Sequence, residues 1–150
     1  MAALLEATAS ADVGSARTLF DEYMRSVDEP ACFAGFEREL AGLPRGYLLI
    51  LLAREPDGDA GCVALRALDP RSAEMKRLYV RPQFRGRGLG RALVEAAIAA
   101  ARSRRYQRVV LDSLPKMRAA RALYEELGFR EIPAYLAEPT PGATCFELRL

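Results

Sequence analysis

The sequence predicts an α+β (α/β) domain in which a mixed central sheet carries helices on both faces. The predicted elements run in the order β-α-α-β-β-β-α-β-α-β-β, so early strands meander and later strands alternate with helices. The chain has 150 residues, of which 51% are hydrophobic and 28% are charged, a balance typical of one globular domain. We therefore expect residues 1–150 to form a single domain, and a homodimer is left open.

The N-terminal half predicts one strand, two helices and a hairpin. Apolar residues recur at helical spacing over 10–26 and again over 32–40, and Ser10 or Asp12 can cap the first helix. Asp57-Gly58 is a strong hairpin signal between two apolar runs. The predicted elements are a strand at 4–8, helices at 10–26 and 32–40, and strands at 47–54 and 61–68.

The C-terminal half alternates between strands and helices. The strand at 73–80 is stopped by Pro82, and Gly128 closes the last helix at a left-handed cap. The helix at 88–105 has an apolar face and a charged face. The predicted elements are strands at 73–80, 109–113, 132–135 and 145–150, and helices at 88–105 and 118–127.

The composition excludes several kinds of chemistry. The chain has no histidine, which removes Ser-His-Asp and Cys-His nucleophile systems and all histidine-liganded metal sites. Cys32, Cys62 and Cys145 form no CxxC pair, so we expect reduced thiols and no metal. No signal peptide is visible, and the longest uncharged apolar run is 47–53, too short to cross a membrane. We expect a cytoplasmic protein without a membrane partner.

The charge is small overall but concentrated in one segment. The net charge is +2, whereas residues 71–108 hold eleven basic and two acidic residues. This segment should attract anions, and its arginines suit phosphate groups. Four arginines at 102, 104, 105 and 108 form a basic cluster that also suggests nucleic-acid binding as an alternative function. They lack interleaved aromatic residues and a reader motif, so we expect no nucleic-acid partner.

The most specific feature is the turn Arg85-Gly86-Arg87-Gly88-Leu89-Gly90, between a predicted strand and a long helix. Unpaired amides and the helix dipole favour a phosphate there, and glycine lets the main chain approach it. No Lys follows as in a Walker loop, and the glycines read GxGxG rather than GxGxxG. Asp112 ends the next strand, but only 38 residues follow it, too few for a dinucleotide-binding sheet. The turn does match a third pattern, [QR]-x-x-G-x-[GA], through Arg85, Gly88 and Gly90.

This turn, the preceding MKRLYVRP and the later ALYEELGF together resemble the GCN5-related N-acetyltransferases, a family that binds acetyl-coenzyme A. The resemblance covers about residues 73–130. It implies a GNAT-like, mostly antiparallel sheet, and transfer of an acetyl group from acetyl-coenzyme A to an amine in a ternary complex. It implies donor-binding roles for Leu78, Tyr79, Val80, Arg85, Gly86, Arg87, Gly88, Leu89, Gly90 and Arg91.

The resemblance also implies catalytic roles. An amide near Val80 would hold the oxyanion, and Tyr124 matches the tyrosine that protonates the departing thiolate. Glu74 is the first candidate for the base, acting through water, and the alternative is a salt bridge with Lys76 or Arg66. Strand alternation predicts Glu74, Lys76, Leu78 and Val80 on one face. Many family members carry Asn where this chain has Met117, and Ser113 would then supply a polar contact to the coenzyme.

The acceptor side is less specified. The resemblance places the acceptor between the helical segment 23–44 and the loop 135–143. Acidic residues of the first segment would attract a cationic amine, or they form solvated helix faces. A small amine, an amino acid, a peptide and a protein lysine all stay open as acceptors. An alternative function is a non-catalytic sensor or regulatory module of the same fold that binds acetyl-coenzyme A.

Overall fold

The computed structural model describes residues 2–28 and 35–150, and its elements follow the predicted order. The strands are β1 (Ala3–Glu6), β2 (Leu49–Glu55), β3 (Gly58–Asp69), β4 (Ser72–Val80), β5 (Arg108–Ser113), β6 (Arg130–Ile132) and β7 (Thr144–Arg149). The helices are α1 (Ser10–Val27), α2 (Phe36–Gly42), α3 (Leu89–Ser103) and α4 (Arg118–Glu126). Among these residues, no helix combines the length and apolar composition that a membrane crossing needs.

The strands form one sheet in the order β1-β2-β3-β4-β5-β7-β6. Neighbouring strands are antiparallel except for β4 and β5, which run parallel. This arrangement confirms the predicted mixed, mostly antiparallel sheet.

Helices cover both faces of the sheet, as predicted. On one face, Leu93, Val94 and Ala97 of α3 are fully buried against the sheet, in the cluster that includes Leu65. On the other face, the buried Leu19 and Phe20 of α1 belong to a second cluster with residues of β2 and β3. The apolar stripe of each helix therefore lies against the sheet, which removes it from water and holds the central strands from both sides.

The parallel pair β4 and β5 opens into a fork. Only Ser72–Glu74 of β4 pair with β5, opposite Arg108, Val109 and Val110. The C-terminal half of β4 continues along β3 and has lost its β5 partner. The open edge of β4 from Met75 onward therefore carries backbone groups that no strand satisfies.

A bulge in β4 changes which face its residues occupy. The β3–β4 register shifts between Cys62 and Ala64, and Arg77 has a positive φ of 62°. Met75 is buried in the α3 cluster, and both Leu78 and Val80 also pack against that cluster. Tyr79 belongs to the α1 cluster. The predicted alternation, with Lys76, Leu78 and Val80 on one face, is therefore wrong, because the bulge inverts the pattern at Arg77.

Several element ends differ from the prediction. β6 ends at Ile132 rather than continuing to 135, because Pro133 has no amide hydrogen for the ladder. The cap of α1 is Ala9 without a side-chain bond, and Asp12 instead forms an ion pair with Arg54 at 3.0 Å. The predicted helix at 32–40 is present from Phe36 onward; its earlier part, with Cys32, lies outside the described residues.

Candidate active site

A cavity of about 590 Å³ occupies the fork between β4 and β5. One wall is the C-terminal half of β4 and the turn that leads into α3. The other wall is the end of β5 with α4. The cavity thus lies where the sheet leaves backbone groups unpaired, so a ligand could replace the missing strand.

The exposed edge of β4 presents the backbone of Val80 to this cavity. The carbonyl of Val80 accepts a hydrogen bond from Nε of Arg85 at 2.9 Å, whereas the amide of Arg81 donates to Ala60 of β3 at 2.8 Å. Successive residues of a strand point their amides to opposite edges, so the Val80 amide faces the fork. By the same two-residue period, so does the amide of Leu78.

Tyr79 also lines the cavity, but its backbone faces the other way. Its carbonyl is directed at Gly61 of β3, where an added Cβ would lie only 2.4 Å from that oxygen, so the close approach of the two strands requires glycine. The Tyr79 hydroxyl donates to Glu22 at 3.4 Å. Of the three predicted backbone positions, Leu78 and Val80 therefore turn their amides to the fork and Tyr79 does not.

The glycine turn follows directly from this edge. Gly86 and Gly88 have φ of +81° and +77°, a left-handed conformation that a side chain disfavours. α3 begins at Leu89, and the amide of Ala92 donates to the Gly88 carbonyl at 3.1 Å, so the preceding amides of the first turn have no helical partner. The amide of Arg85 is already used by the Pro82 carbonyl at 3.3 Å.

The predicted arginines divide into two groups. Arg85 lines the cavity. Arg87 lies over the ring of Phe84 at 5.2 Å, and Arg91 pairs with Glu95 and Glu126 at 3.2 Å each. The side chains of Arg87 and Arg91 are therefore engaged outside the cavity, and the cavity wall instead includes Arg118 of α4, which sequence reasoning missed.

Tyr124 stands inside the cavity wall. It is 6% exposed and packs against Phe129 and Phe146, with ring centroids 5.6 and 6.4 Å away. Within residues 2–28 and 35–150, its hydroxyl makes no hydrogen bond to the protein. Burial raises the pKa of this hydroxyl, so it stays protonated at neutral pH and can serve as a proton donor.

Ser113 and Met117 meet on the β5 side of the fork. The hydroxyl of Ser113 points to the Met117 sulfur at 3.8 Å, and both residues line the cavity. A thioether is a weak acceptor, so the Ser113 hydroxyl can turn to a stronger partner when one is present.

Two partners hold the side chain of Glu74, which lies at the last paired position of β4 before the fork opens. Its side chain is fully buried; one oxygen accepts from Nε of Arg66 at 2.6 Å and the other from the hydroxyl of Tyr135 at 2.5 Å. Glu74 itself does not line the cavity. The salt bridge with Arg66 that the sequence allowed is therefore present, and a direct contact between Glu74 and a ligand is not.

Besides Arg118, the cavity wall holds four charged residues that were missed as site residues: Lys76, Arg77, Asp112 and Lys116. Burial lowers the pKa of Lys76, with Glu74 and Asp112 opposing that effect. Lys116 donates from Nζ to the carbonyl of Val27 at 2.5 Å, which ties α1 to this wall. Lys76 lies in the middle of β4, Asp112 lies near the end of β5 and Lys116 follows it, and the fork that brings them together depends on long-range pairing.

The acidic residues of the helical segment are largely used by the fold. Glu22 pairs with Arg81 at 2.6 Å, and Glu39 pairs with Arg77 at 2.9 Å. Asp21 pairs with Arg25 at 3.0 Å. These three carboxylates are paired with arginines, so they contribute less negative charge to attract a cationic amine than the sequence suggests.

Solved acetyltransferases share this architecture. An acetyltransferase from Streptococcus agalactiae has a TM-score of 0.80 at 20% identity, covering 99% of this chain and 98% of that chain. A GNAT family acetyltransferase from Elizabethkingia anophelis with acetyl-CoA bound has a TM-score of 0.66 at 19% identity, covering 99% and 98%. The fold is thus that of acetyltransferases.

Sequence comparison identifies the family. The model of the Acetyltransferase (GNAT) family matches residues 14–129. An uncharacterized N-acetyltransferase of Schizosaccharomyces pombe is 35% identical over 147 residues, which cover 93% of this chain and 89% of that protein. The chain belongs to the GNAT family, and it is an N-acetyltransferase that takes its acyl group from an acyl-coenzyme A.

Two further relatives match only in part. The N-acetylaspartate synthetase of Rattus norvegicus is 38% identical over 90 residues, 59% of this chain and 30% of that protein. The mycothiol acetyltransferase of Beutenbergia cavernae is 39% identical over 82 residues, 53% of this chain and 28% of that protein. The matched region spans less than a third of either protein.

Proposed function

We propose that the protein transfers the acetyl group of acetyl-coenzyme A to an amine acceptor by direct attack in a ternary complex, with Tyr124 as the acid. The observation that carries the proposal is the alignment of the open β4 edge with the glycine turn. The edge offers amides at Leu78 and Val80, and the chain then runs directly into left-handed Gly86 and Gly88. A donor with an amide-bearing arm and a pyrophosphate matches this order, with the arm along the β4 edge and the pyrophosphate on the glycine turn.

The residues of the fork would hold the donor as follows. The unpaired amides from Gly86 to the first turn of α3 would bind the pyrophosphate, where the helix dipole also favours negative charge. Arg85 and Arg118 line the same cavity and would add charge-assisted contacts to phosphate. The amides of Leu78 and Val80 would bind the arm. Arg87 and Arg91 would contribute through the backbone of the turn, because their side chains point elsewhere.

The chemistry requires three groups on the protein. The neutral amine nitrogen attacks the thioester carbonyl carbon, a C–N bond forms, and the Val80 amide would stabilise the negative oxygen. The C–S bond then breaks, and the thiolate takes the proton of the Tyr124 hydroxyl, which solvent later restores. The acceptor nitrogen loses one proton to a base. Tyr124 suits its role because its buried hydroxyl stays protonated.

Glu74 remains our proposed base, acting at a distance. Its carboxylate does not line the cavity and is held by Arg66 and Tyr135. A proton from the acceptor would therefore reach Glu74 through the Tyr135 hydroxyl or a water beside it. We also propose a cytoplasmic location, since Cys62 and Cys145 are free thiols, as a reducing compartment would keep them.

The partial relatives leave the acceptor open. One is named an N-acetylaspartate synthetase and another a mycothiol acetyltransferase, so similarity by itself does not select the class of acceptor. The acceptor has to be inferred from the cavity.

The proposed function is tested by two measurements on the purified protein. Calorimetric titration with acetyl-coenzyme A should give saturable binding. Thioester consumption should then appear when amines are added to the protein and acetyl-coenzyme A. Binding without consumption over a broad panel of amines and peptides would favour the alternative, a sensor or regulatory module. Absence of binding would contradict the proposal outright.

A further inference from the structure

We propose that the acceptor is an amino acid, whose carboxylate binds Lys76 and whose ammonium group binds Asp112. This inference rests on the proposed function and names the substrate class of the same site. It starts from two opposite charges that line one cavity without contacting each other.

Lys76 is one of the cations that line the cavity. It lies on β4 opposite Ala64, beside the start of the fork, and lines the cavity. In the part of the chain that the structure describes, its ammonium group makes no hydrogen bond or ion pair. The nearby carboxylate of Glu74 is already occupied by Arg66 and Tyr135. Placing a cation in a partly buried site is costly unless an anion completes it.

Asp112 is the matching anion on the opposite wall. It lies near the end of β5, paired in register with Cys145 of β7. It is the one acidic residue among the described residues that line the cavity, and its carboxylate makes no ion pair there. It acts electrostatically on both Lys76 and Tyr124. Asp112 and Tyr124 line the same cavity, so an ammonium group bound by Asp112 would be on the same side of the fork as the proposed acid. It would lose one proton to the proposed base or to solvent before the neutral nitrogen attacks.

Lys76 is poorly placed to serve the donor phosphates. It precedes Val80 by four residues, which is roughly 13 Å along a strand, and the glycine turn follows Val80 on the far side. Arg85 and Arg118 are the cations nearer to that turn or on the facing helix. Lys76 is thus left for the acceptor.

A single ligand that carries a carboxylate and an ammonium group would pair with both Lys76 and Asp112. A simple amine would occupy Asp112 but leave Lys76 unpaired, and a second cationic group on the acceptor would be repelled by it. A carboxylate beside the amine instead gives Lys76 a charge-assisted contact. After acetylation the nitrogen is neutral, so the contact with Asp112 weakens and the product is released more easily.

The experiment measures thioester consumption with matched acceptors. The panel contains the twenty L-amino acids, their carboxamides and the corresponding decarboxylated amines, with a tripeptide amide and spermidine as other classes. The preferred acceptor should be an amino acid, with a kcat/KM about 10- to 100-fold above that of its carboxamide, as expected for a hydrogen bond to a charged group.

Variants then assign the preference to Lys76. Lys76→Met should lower kcat/KM for that amino acid about 10- to 100-fold, mainly through KM, and change kcat/KM for the carboxamide less than about threefold. Lys76→Arg should recover part of the loss. The matched control is Arg102→Met, on the exposed end of α3, which should change neither. Calorimetric affinity for acetyl-coenzyme A should be the same in all variants.

Three outcomes would overturn the inference. A preferred acceptor without a carboxylate would do so, as would an equal loss for both acceptors in Lys76→Met. Normal binding of acetyl-coenzyme A without turnover of any amino acid would also do so. Failure of the proposed function is distinguishable, because it would appear as no binding of acetyl-coenzyme A.

Discussion

The two sides of the fork present different kinds of groups to a ligand. The proposed donor side consists of backbone: the open edge of β4 and the unpaired amides of the glycine turn. The proposed acceptor side consists of side chains from separate elements, with Lys76 on β4 and Asp112 on β5. One side is therefore contiguous in sequence, and the other is assembled by the sheet.

This difference explains how the site can be shared and varied. A backbone site tolerates many side chains as long as the glycines keep their left-handed conformation, so it can serve one donor across a family. A side-chain site changes with single substitutions.

The largest effect is expected at Tyr124, where the two sides meet. Tyr124→Phe removes the proposed acid and should lower kcat about 100-fold, while acetyl-coenzyme A affinity changes little. Because burial raises the pKa of Tyr124, the wild-type kcat should show no loss from this group up to about pH 10. Steady-state kinetics and calorimetry measure both. Tyr106→Phe, on a partly buried residue packed on the α3 cluster, is the control; an unchanged kcat in Tyr124→Phe would remove the residue from the mechanism.

A substitution that strains the backbone of the glycine turn should weaken binding of acetyl-coenzyme A. Gly88→Val forces a β-branched residue to a φ of +77°, at a cost of about 1–2 kcal/mol or more. We expect the Kd for acetyl-coenzyme A to rise at least about tenfold. Gly14→Ala in α1, where an added Cβ meets nothing within 4 Å, is the matched control and should leave the Kd unchanged. Equal affinities of Gly88→Val and wild type would show that the turn does not bind the donor.

Substitution of Glu74 tests whether the proposed base acts on the acceptor side of the fork. If Glu74 accepts the proton through Tyr135, Glu74→Gln should lower kcat/KM about tenfold and abolish the acidic limb of its pH profile. Arg66→Met removes the other partner of the same carboxylate and controls for structural loss. An unaltered pH profile in Glu74→Gln would leave this carboxylate with a structural role only.

The smallest effect concerns the stability cost of Lys76. Burial lowers the pKa of Lys76, so between its folded-state pKa and the ordinary lysine pKa of 10.5 the unfolded chain binds more protons than the folded chain. The stability of the wild type relative to Lys76→Met should therefore rise with pH through this window. We expect the variant to melt about 3 °C higher at pH 7 and the difference to close by about pH 10.5. A difference independent of pH would mean that Lys76 is not desolvated.

The sequence predicted what is encoded locally. The element order, the Asp57-Gly58 hairpin and the glycine turn follow from residues that are neighbours in the chain. Three features escaped prediction because they depend on distant partners. The bulge at Arg77 arises in the pairing with β3, the contact between Tyr135 and Glu74 spans 61 positions, and the joint placement of Lys76 and Asp112 needs the fork.

We propose that the donor takes the place of the missing strand along β4. Amide hydrogen exchange by NMR, without and with acetyl-coenzyme A, tests it most directly. The amides of Leu78 and Val80 should exchange quickly in the free protein and become protected when acetyl-coenzyme A is added. The Arg81 amide, bonded to the Ala60 carbonyl at 2.8 Å, should be protected in both states and serves as an internal control. Unchanged exchange at Leu78 and Val80 in the saturated protein would contradict the account.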